Sequence, residues 1–167
     1  MGLAIFTLIH VLISLAGIAS GLVVFGGWLA GKHYKGWTIF FLVTTVMTSL
    51  TGFFFPFRGF TPAHGVGVLS LLILMAAIYA LYVRRLSHVW RKVYVISAVT
   101  ALYLNFFVLV AQLFQKTPAL RELAPTQTEP SFAISQGLAL LLFVAMGIAA
   151  VRQFRAEPFQ KPSFEVR

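Results

Sequence analysis

Four histidines are the side chains of this sequence best suited to chemistry, and they fall at two depths of a mostly apolar chain. His10 and His64 lie near one end of predicted membrane helices, and His33 and His88 lie near the other end. Nearly the same number of positions separates His10 from His33 as separates His64 from His88. An ionisable side chain at or inside a bilayer boundary is costly, which makes each of these a candidate functional group.

The pair His10 and His64 has the layout of haem ligands. Imidazoles from two facing helices at one depth hold a b-type haem, and the same rings could instead hydrogen-bond a quinone-like head group. His33 and His88 sit among Lys and Arg in predicted turns, so we expect them to be solvated interfacial residues. The chain has no cysteine, which excludes thiolate zinc sites and iron–sulfur clusters. No metal is therefore expected beyond haem iron held by His10 and His64.

Other polar residues are predicted at the depth of His10 and His64. They are Asn105 and Gln112 in one apolar segment, Gln136 in the next, and Arg58 in the loop before His64. Buried amides need partners in a medium without water, and interhelical hydrogen bonds of about 0.6 to 2 kcal/mol each would explain them singly. Their shared depth favours a second interpretation, a polar pocket that includes both histidines and opens to the periplasm.

The composition makes lipid the solvent of this chain. It is 59% hydrophobic and 10% charged, more apolar than a water-soluble domain of 167 residues could hide inside itself. Its net charge of +9 comes from Lys and Arg in short loops beside apolar segments, where membrane topology explains them. We therefore expect a lipid bilayer and no nucleic acid as a partner.

Five apolar segments are each about as long as the roughly 20 residues that a spanning helix needs. The predicted helices cover residues 3–30, 37–55, 63–83, 93–114 and 132–151. The fold class is all-α: a polytopic membrane protein whose first four helices form two hairpins in a bundle. Residues 1–155 form a single transmembrane domain, and 156–167 are expected to be a flexible cytoplasmic tail. The first segment has no Lys or Arg before its apolar stretch, so we expect a retained helix and not a cleaved signal peptide.

The distribution of basic residues predicts the orientation. Ten of the thirteen Lys and Arg fall beside the same ends of the five segments, and all three tryptophans fall there too. By the positive-inside rule that side is cytoplasmic, with the N-terminus periplasmic and the C-terminus cytoplasmic. The predicted location is a bacterial inner (plasma) membrane.

The first segment has one face that should pack against protein. His10, Ser14, Gly17, Gly21 and Trp28 share it at helical spacing, and the two glycines allow another helix to come close. If the two predicted hairpins are a repeat, a pseudo-two-fold axis along the membrane normal would bring His10 toward His64. The longest loop, residues 115–130, is expected to be a solvated connector, with a lid over an outward-facing site as the alternative.

The histidine-led first helix and the turn Gly31 to Gly36, of the form Gly-x-His-x-x-Gly, resemble small uncharacterised bacterial inner-membrane proteins. The two depths of histidine also resemble the layout of b-type membrane cytochromes. The first resemblance implies no established chemistry. The second implies haem b as a cofactor.

Several enzyme classes lack candidates. The four acidic residues lie in the longest loop or the tail, and no phosphate-binding glycine loop or nucleophile with a base is present.

Three functions remain open. The first is a binding or electron-transfer protein built around His10 and His64. The second is an accessory or scaffold subunit of a larger membrane complex or homo-oligomer, and the third is a passive channel or transporter for a small solute.

Overall fold

The described part of the chain, residues 2–56 and 62–155, is entirely helical apart from its turns. In the computed structural model it contains no β-strand, which confirms the all-α fold class. Six α-helices follow one another: α1 Gly2–Leu29, α2 Lys35–Gly52, α3 Pro62–Ile78, α4 Trp90–Lys116, α5 Pro118–Leu123 and α6 Pro130–Gln153. Five of them correspond to the predicted segments, and their ends lie within three residues of the predicted ends when the π-helical turn Tyr79–Val83 is counted with α3. Arg58 and the tail 156–167 lie outside the described residues.

Four helices in the described residues are long and apolar enough to cross a membrane. They are α1, α3 with the turn that follows it, α4 and α6. The prediction of five such helices is confirmed only to this extent. Helix α2 has 18 residues and carries five threonines and a serine, which lower its apolar character.

The ends of the helices follow local rules. Helices α5 and α6 begin with Pro118 and Pro130, at a position where the missing N–H of proline costs no helical hydrogen bond. Helix α1 ends where Gly31 adopts a φ of +68°, with the amide of Lys32 donating to the carbonyl of Gly27. A left-handed glycine of this kind satisfies the last carbonyls of a helix and turns the chain back toward α2.

The last turn of α3 is a π-helix, Tyr79–Val83. The amide of Arg84 donates to the carbonyl of Tyr79 over 3.0 Å, which closes the wider π-helical ring. Arg84 then lies over the ring of Trp90, 5.1 Å from its centre. This turn therefore sets how the chain leaves α3 and enters α4.

Helices α1 to α4 pack as two hairpins, and α6 lies beside them. Helix α1 packs along α2, and α3 packs along α4; α2 also packs against α3, and α4 also contacts α1. Helix α6 lies against α4 and α1. Helix α4 is the most buried of the four apolar spans and forms the centre of the structure.

The core has two halves with different chemistry. We call the part around Trp28 the Trp28 half; its buried side chains are large and mostly apolar, among them Trp28, Phe41, Tyr94 and Leu102. We call the part around His10 the His10 half. Its buried side chains include the polar residues Thr44, Thr45, Ser49, Ser70, Asn105 and Gln136.

Candidate functional site

His10 in α1 faces protein, as its position on the same face as Gly17 and Gly21 predicted, and it is hydrogen-bonded to α2. Its Nδ1 lies 2.7 Å from Oγ1 of Thr51. The Thr51 hydroxyl also lies 2.7 Å from the carbonyl of Met47, one turn back in the same helix. A hydroxyl has one proton, so when it donates to Met47 the imidazole must donate from Nδ1. In that arrangement Nε2 carries the free lone pair of a neutral imidazole.

Aromatic rings hold the His10 imidazole on its other side. Phe55 meets it edge to face, with the ring centres 5.1 Å apart, and Phe6 packs against Phe55 at 4.9 Å. A hydrogen bond from Thr51 and a ring contact from Phe55 together limit both the tautomer and the rotation of His10. His10 is thus a fixed, half-buried hydrogen-bonding group.

One helical turn further into the membrane, Ser14 and Asn105 join α1 to α4. The Ser14 hydroxyl donates to Oδ1 of Asn105 over 2.7 Å, and Nδ2 of Asn105 donates to the carbonyl of Ser14 over 3.3 Å. Gly17 makes the close approach possible. A Cβ there would lie 3.2 Å from Nδ2 of Asn105 and 3.3 Å from the hydroxyls of Thr44 and Thr45.

The α2 side of this region holds a row of hydroxyls. Thr45 donates to the carbonyl of Phe41, and Ser49 donates to the hydroxyl of Ser70 on α3 over 3.1 Å. Thr48 differs from its neighbours, because its Oγ1 is buried and has no hydrogen-bond partner in the described part of the chain. An unpaired hydroxyl inside a membrane is unfavourable, so Thr48 leaves the hydrogen bonding of this region incomplete.

His64 lies at the start of α3, half-buried, with its ring centre 5.9 Å from that of Phe53. The segment Thr51–Phe55 at the end of α2 therefore contacts both predicted ligands, His10 through Thr51 and Phe55, and His64 through Phe53. Helix α2 packs against both α1 and α3. That the two imidazoles bind one ligand together stays a prediction.

The other predicted pocket residues separate. Gln136 is buried on α6, where Nε2 donates to the backbone carbonyl of Phe107 over 3.1 Å and Oε1 has no partner among the described residues. Asn105 bonds to α1 instead, while Gln112 is half-buried two turns further along α4. Asn105 and Gln136 thus serve two different helix interfaces, and Arg58 lies outside the described residues.

The connection between α4 and α6 is ordered by its own side chains. Besides the unpredicted helix α5, Gln127 donates to the carbonyl of Ala111 over 2.7 Å and accepts from Gln115. Desolvation raises the pKa of the Glu129 carboxyl, but hydrogen bonds from the Thr126 hydroxyl and from the amides of Thr126 and Thr128 outweigh it, so this pKa lies below its ordinary value. The predicted solvated connector is therefore tied to the end of α4.

The histidines at the other depth lie at the surface of the Trp28 half. The half-buried ring of His33 packs edge to face on Phe154 at 4.8 Å. His88 is exposed in the turn before α4, with a φ of 47°. Within residues 2–56 and 62–155, no three His, Asp or Glu side chains come together as a metal site.

The sequence predicts that buried polar groups, Thr48 and Thr51 of the second apolar segment among them, meet across helices, but it does not show which helices the hydroxyls of α2 contact. The spacing of Thr44, Thr48 and Thr51 places three hydroxyls along one face of the helix, and of these Thr51 bonds to α1 through His10. Comparison with protein-family models, with curated proteins and with solved structures finds no match to this chain.

Proposed function

We propose that this chain is an integral membrane binding protein in which His10 receives the polar head group of a membrane-soluble, quinol-like ligand. The observation that carries the proposal is the hydrogen bond between Nδ1 of His10 and Thr51. It leaves the Nε2 lone pair to accept a hydrogen bond from a ligand hydroxyl. A role in electron transfer would follow from the redox chemistry of such a ligand.

The rest of the His10 half supports a polar guest. The unpaired hydroxyl of Thr48 lies one helical turn from Thr51 on the same helix, and the Ser14–Asn105 pair lies one turn from His10. Phe6, Phe53 and Phe55 provide aromatic surface for a flat head group.

A haem b is the second candidate ligand, because the same lone pair of His10 could bind iron. A hydrogen bond to the other ring nitrogen is the usual way in which a protein orients a metal-bound imidazole. His64 would be the second axial ligand, since both histidines contact the end of α2. The two candidates differ in whether His64 is needed.

A through-channel is disfavoured by the Trp28 half. Trp28, Phe41, Tyr94 and Leu102 are each at most 3% exposed, so large side chains fill the core beyond the polar region. A ligand bound at His10 would therefore enter and leave at the same end or from the bilayer. This is the behaviour of a binding site.

We place the chain in a bacterial inner membrane with the His10 half on the periplasmic side. The described basic residues at the ends near Trp28 support this, by the positive-inside rule; they are Lys32, Lys35, Arg84, Arg85, Arg91, Lys92, Arg152 and Arg155. Helix α2 would be a fifth spanning helix, because it packs between two long apolar helices and most of its hydroxyls bond to carbonyls of the helix itself.

The test is the binding of a short-tailed quinol to the protein in nanodiscs, measured by equilibrium dialysis. His10→Asn should weaken binding about three- to tenfold, the effect of one lost hydrogen bond. His88→Asn is the matched control, since it removes a histidine in an exposed turn, and it should leave binding unchanged. Equal binding by both variants and the unchanged protein would contradict the proposal.

An absorption spectrum of the purified protein separates the two ligands. A Soret band that is lost in both His10→Asn and His64→Asn would identify haem b and replace the quinol proposal. A stoichiometric protein partner without a bound quinol or haem would instead support the accessory or scaffold interpretation.

A further inference from the structure

A second region of the molecule, remote from His10, combines an apolar groove with a basic cavity. The groove has a volume of about 550 Å³ and lies between α4 and α6. Its walls include Val99 and Tyr103 from α4, and Leu140 and Gly147 from α6. It runs along α6 from Leu140 to Arg152, which at about 1.5 Å per residue is close to half of the roughly 30 Å hydrocarbon core. The groove therefore has the length of one leaflet.

The basic cavity begins where the groove ends. It has a volume of about 420 Å³ and is lined by Leu29, Gly31, His33, Arg152, Gln153 and Arg155. Arg152 lines both spaces, so apolar groove and basic cavity share one guanidinium group. This order of surfaces, apolar and then cationic at the membrane boundary, matches that of a phospholipid.

Arg91 fixes this region from α4. Its guanidinium donates to the backbone carbonyls of Val151 and Phe154 at the end of α6. Those carbonyls are left without helical partners at a helix C-terminus, so Arg91 stabilises the end of α6. Arg152 and Arg155 are exposed and lie in a segment held in place by a different cation.

The described residues at this end carry a net positive charge that is complementary to an anion. In the part of the chain that the structure describes, the acidic residues are Glu122 and Glu129, both in the connection at the His10 end. No carboxylate from residues 2–56 or 62–155 therefore lies beside Arg152 and Arg155. Basic pockets between membrane helices are typical binding sites for anionic lipid head groups.

We propose that this groove and cavity form a binding site for an anionic phospholipid, with one acyl chain between α4 and α6 and the phosphate at Arg152 and Arg155. The guanidinium groups bind phosphate oxygens, for which their planar fork is well suited. Phospholipid is the source of the phosphate, because a free phosphate would leave the apolar groove unfilled. The site is independent of any ligand at His10.

Retention of phosphatidylglycerol by the detergent-solubilised full chain tests the head-group part, measured by native mass spectrometry against phosphatidylcholine. The double variant Arg152→Gln/Arg155→Gln should weaken phosphatidylglycerol binding about 30-fold. Arg85→Gln/Lys92→Gln is the matched control, because it removes the same charge from the same end outside the cavity. Equal loss in both double variants would show general surface electrostatics and overturn the proposal.

Two further arms test the groove and the source of the phosphate. Phosphatidylglycerol with a photoreactive acyl chain should cross-link to residues 96–103 and 140–151, and cross-links elsewhere would overturn the assignment. Gly147→Leu should reduce lipid retention at unchanged charge, whereas Gly147→Ala, whose Cβ would lie 3.7 Å from Val99, should not. Inorganic phosphate at millimolar concentration should fail to displace the lipid, and displacement would identify a free-phosphate site.

Discussion

The His10 half and the Trp28 half of the bundle are built from the same helices, but their buried side chains make different kinds of contact. Around Trp28, rings pack on rings: Trp28 meets Tyr94 at 5.5 Å and Phe154 at 5.2 Å. Around His10, buried side chains pair through hydrogen bonds, and the Thr48 hydroxyl is left without a partner in the described residues. The contrast indicates that packing in one half provides the stability that permits incomplete hydrogen bonding in the other.

The largest effect should come from the centre of the Trp28 half. Trp28→Ala would leave a cavity between Tyr94 and Phe154 and should lower the free energy of unfolding by about 3 to 5 kcal/mol. Trp37→Ala is the matched control, because Trp37 is 48% exposed and Trp28 only 3%. Reversible unfolding in mixed micelles measures both. A similar loss in the two variants would mean that the Trp28 half is not the stabilising part.

Gly21 tests how tightly the boundary between the halves is packed. A Cβ at this position would lie 2.6 Å from Cδ1 of Leu102 and 2.9 Å from Phe41, so Gly21→Ala should cost about 1 to 3 kcal/mol. Gly26→Ala adds the same methyl group to the same helix where nothing lies within 4 Å. It should be neutral or slightly stabilising in the same unfolding assay. Tolerance of Gly21→Ala would argue against close packing of α1 on α2 and α4.

Variants of the Ser14–Asn105 pair test how much hydrogen bonding contributes to the free energy of unfolding in the His10 half. In a double-mutant cycle of Ser14→Ala and Asn105→Leu, the coupling energy should be about 0.6 to 2 kcal/mol. Thr100→Val is the control, because the Thr100 hydroxyl bonds to the carbonyl of Ile96 within its own helix. A coupling energy near zero would mean that this hydrogen bond does not stabilise the His10 half.

Thr48 and Ser49 should respond in opposite directions. Thr48→Val replaces an unpaired buried hydroxyl by a methyl group and should leave the unfolding free energy unchanged or raise it by up to about 1 kcal/mol. Ser49→Ala removes the hydrogen bond to Ser70 and should lower it by a similar amount. If Thr48→Val destabilises the protein, the Thr48 hydroxyl has a structural partner and the hydrogen bonding of the His10 half is complete at this position.

The smallest predicted effect is local and concerns the pH dependence of the connection between α4 and α6. Because the folded-state pKa of Glu129 lies below its ordinary value, its stabilising hydrogen bonds are present above the ordinary carboxyl pKa and are lost as the pH falls through the folded value. The protection factors of the Thr126 and Thr128 amides, which compare each exchange rate with the intrinsic rate at the same pH, should therefore fall in acid, while those around Trp28 should not change. Glu129→Gln should show the lower protection already at neutral pH.

The sequence predicted the helices and the buried face of α1 well, because long apolar segments and the spacing of Gly17, Gly21 and Trp28 are strong one-dimensional signals. The partner of His10 was harder. Helix α2 carries hydroxyls and apolar residues on more than one face, so periodicity does not tell which face meets α1. The bonds of Gln127 and Glu129 were also not predictable, since they depend on one local turn.

The π-helical turn at Tyr79–Val83 makes the length of α3 as important as its composition. One residue of an α-helix corresponds to a rotation of about 100°. Deleting a single residue from this turn, even Ala80 with its small side chain, would let it close as an ordinary α-helix and turn Arg84 away from Trp90. The connection between the two hairpins therefore depends on the number of residues in this turn. A one-residue change in its length would affect the whole of α4.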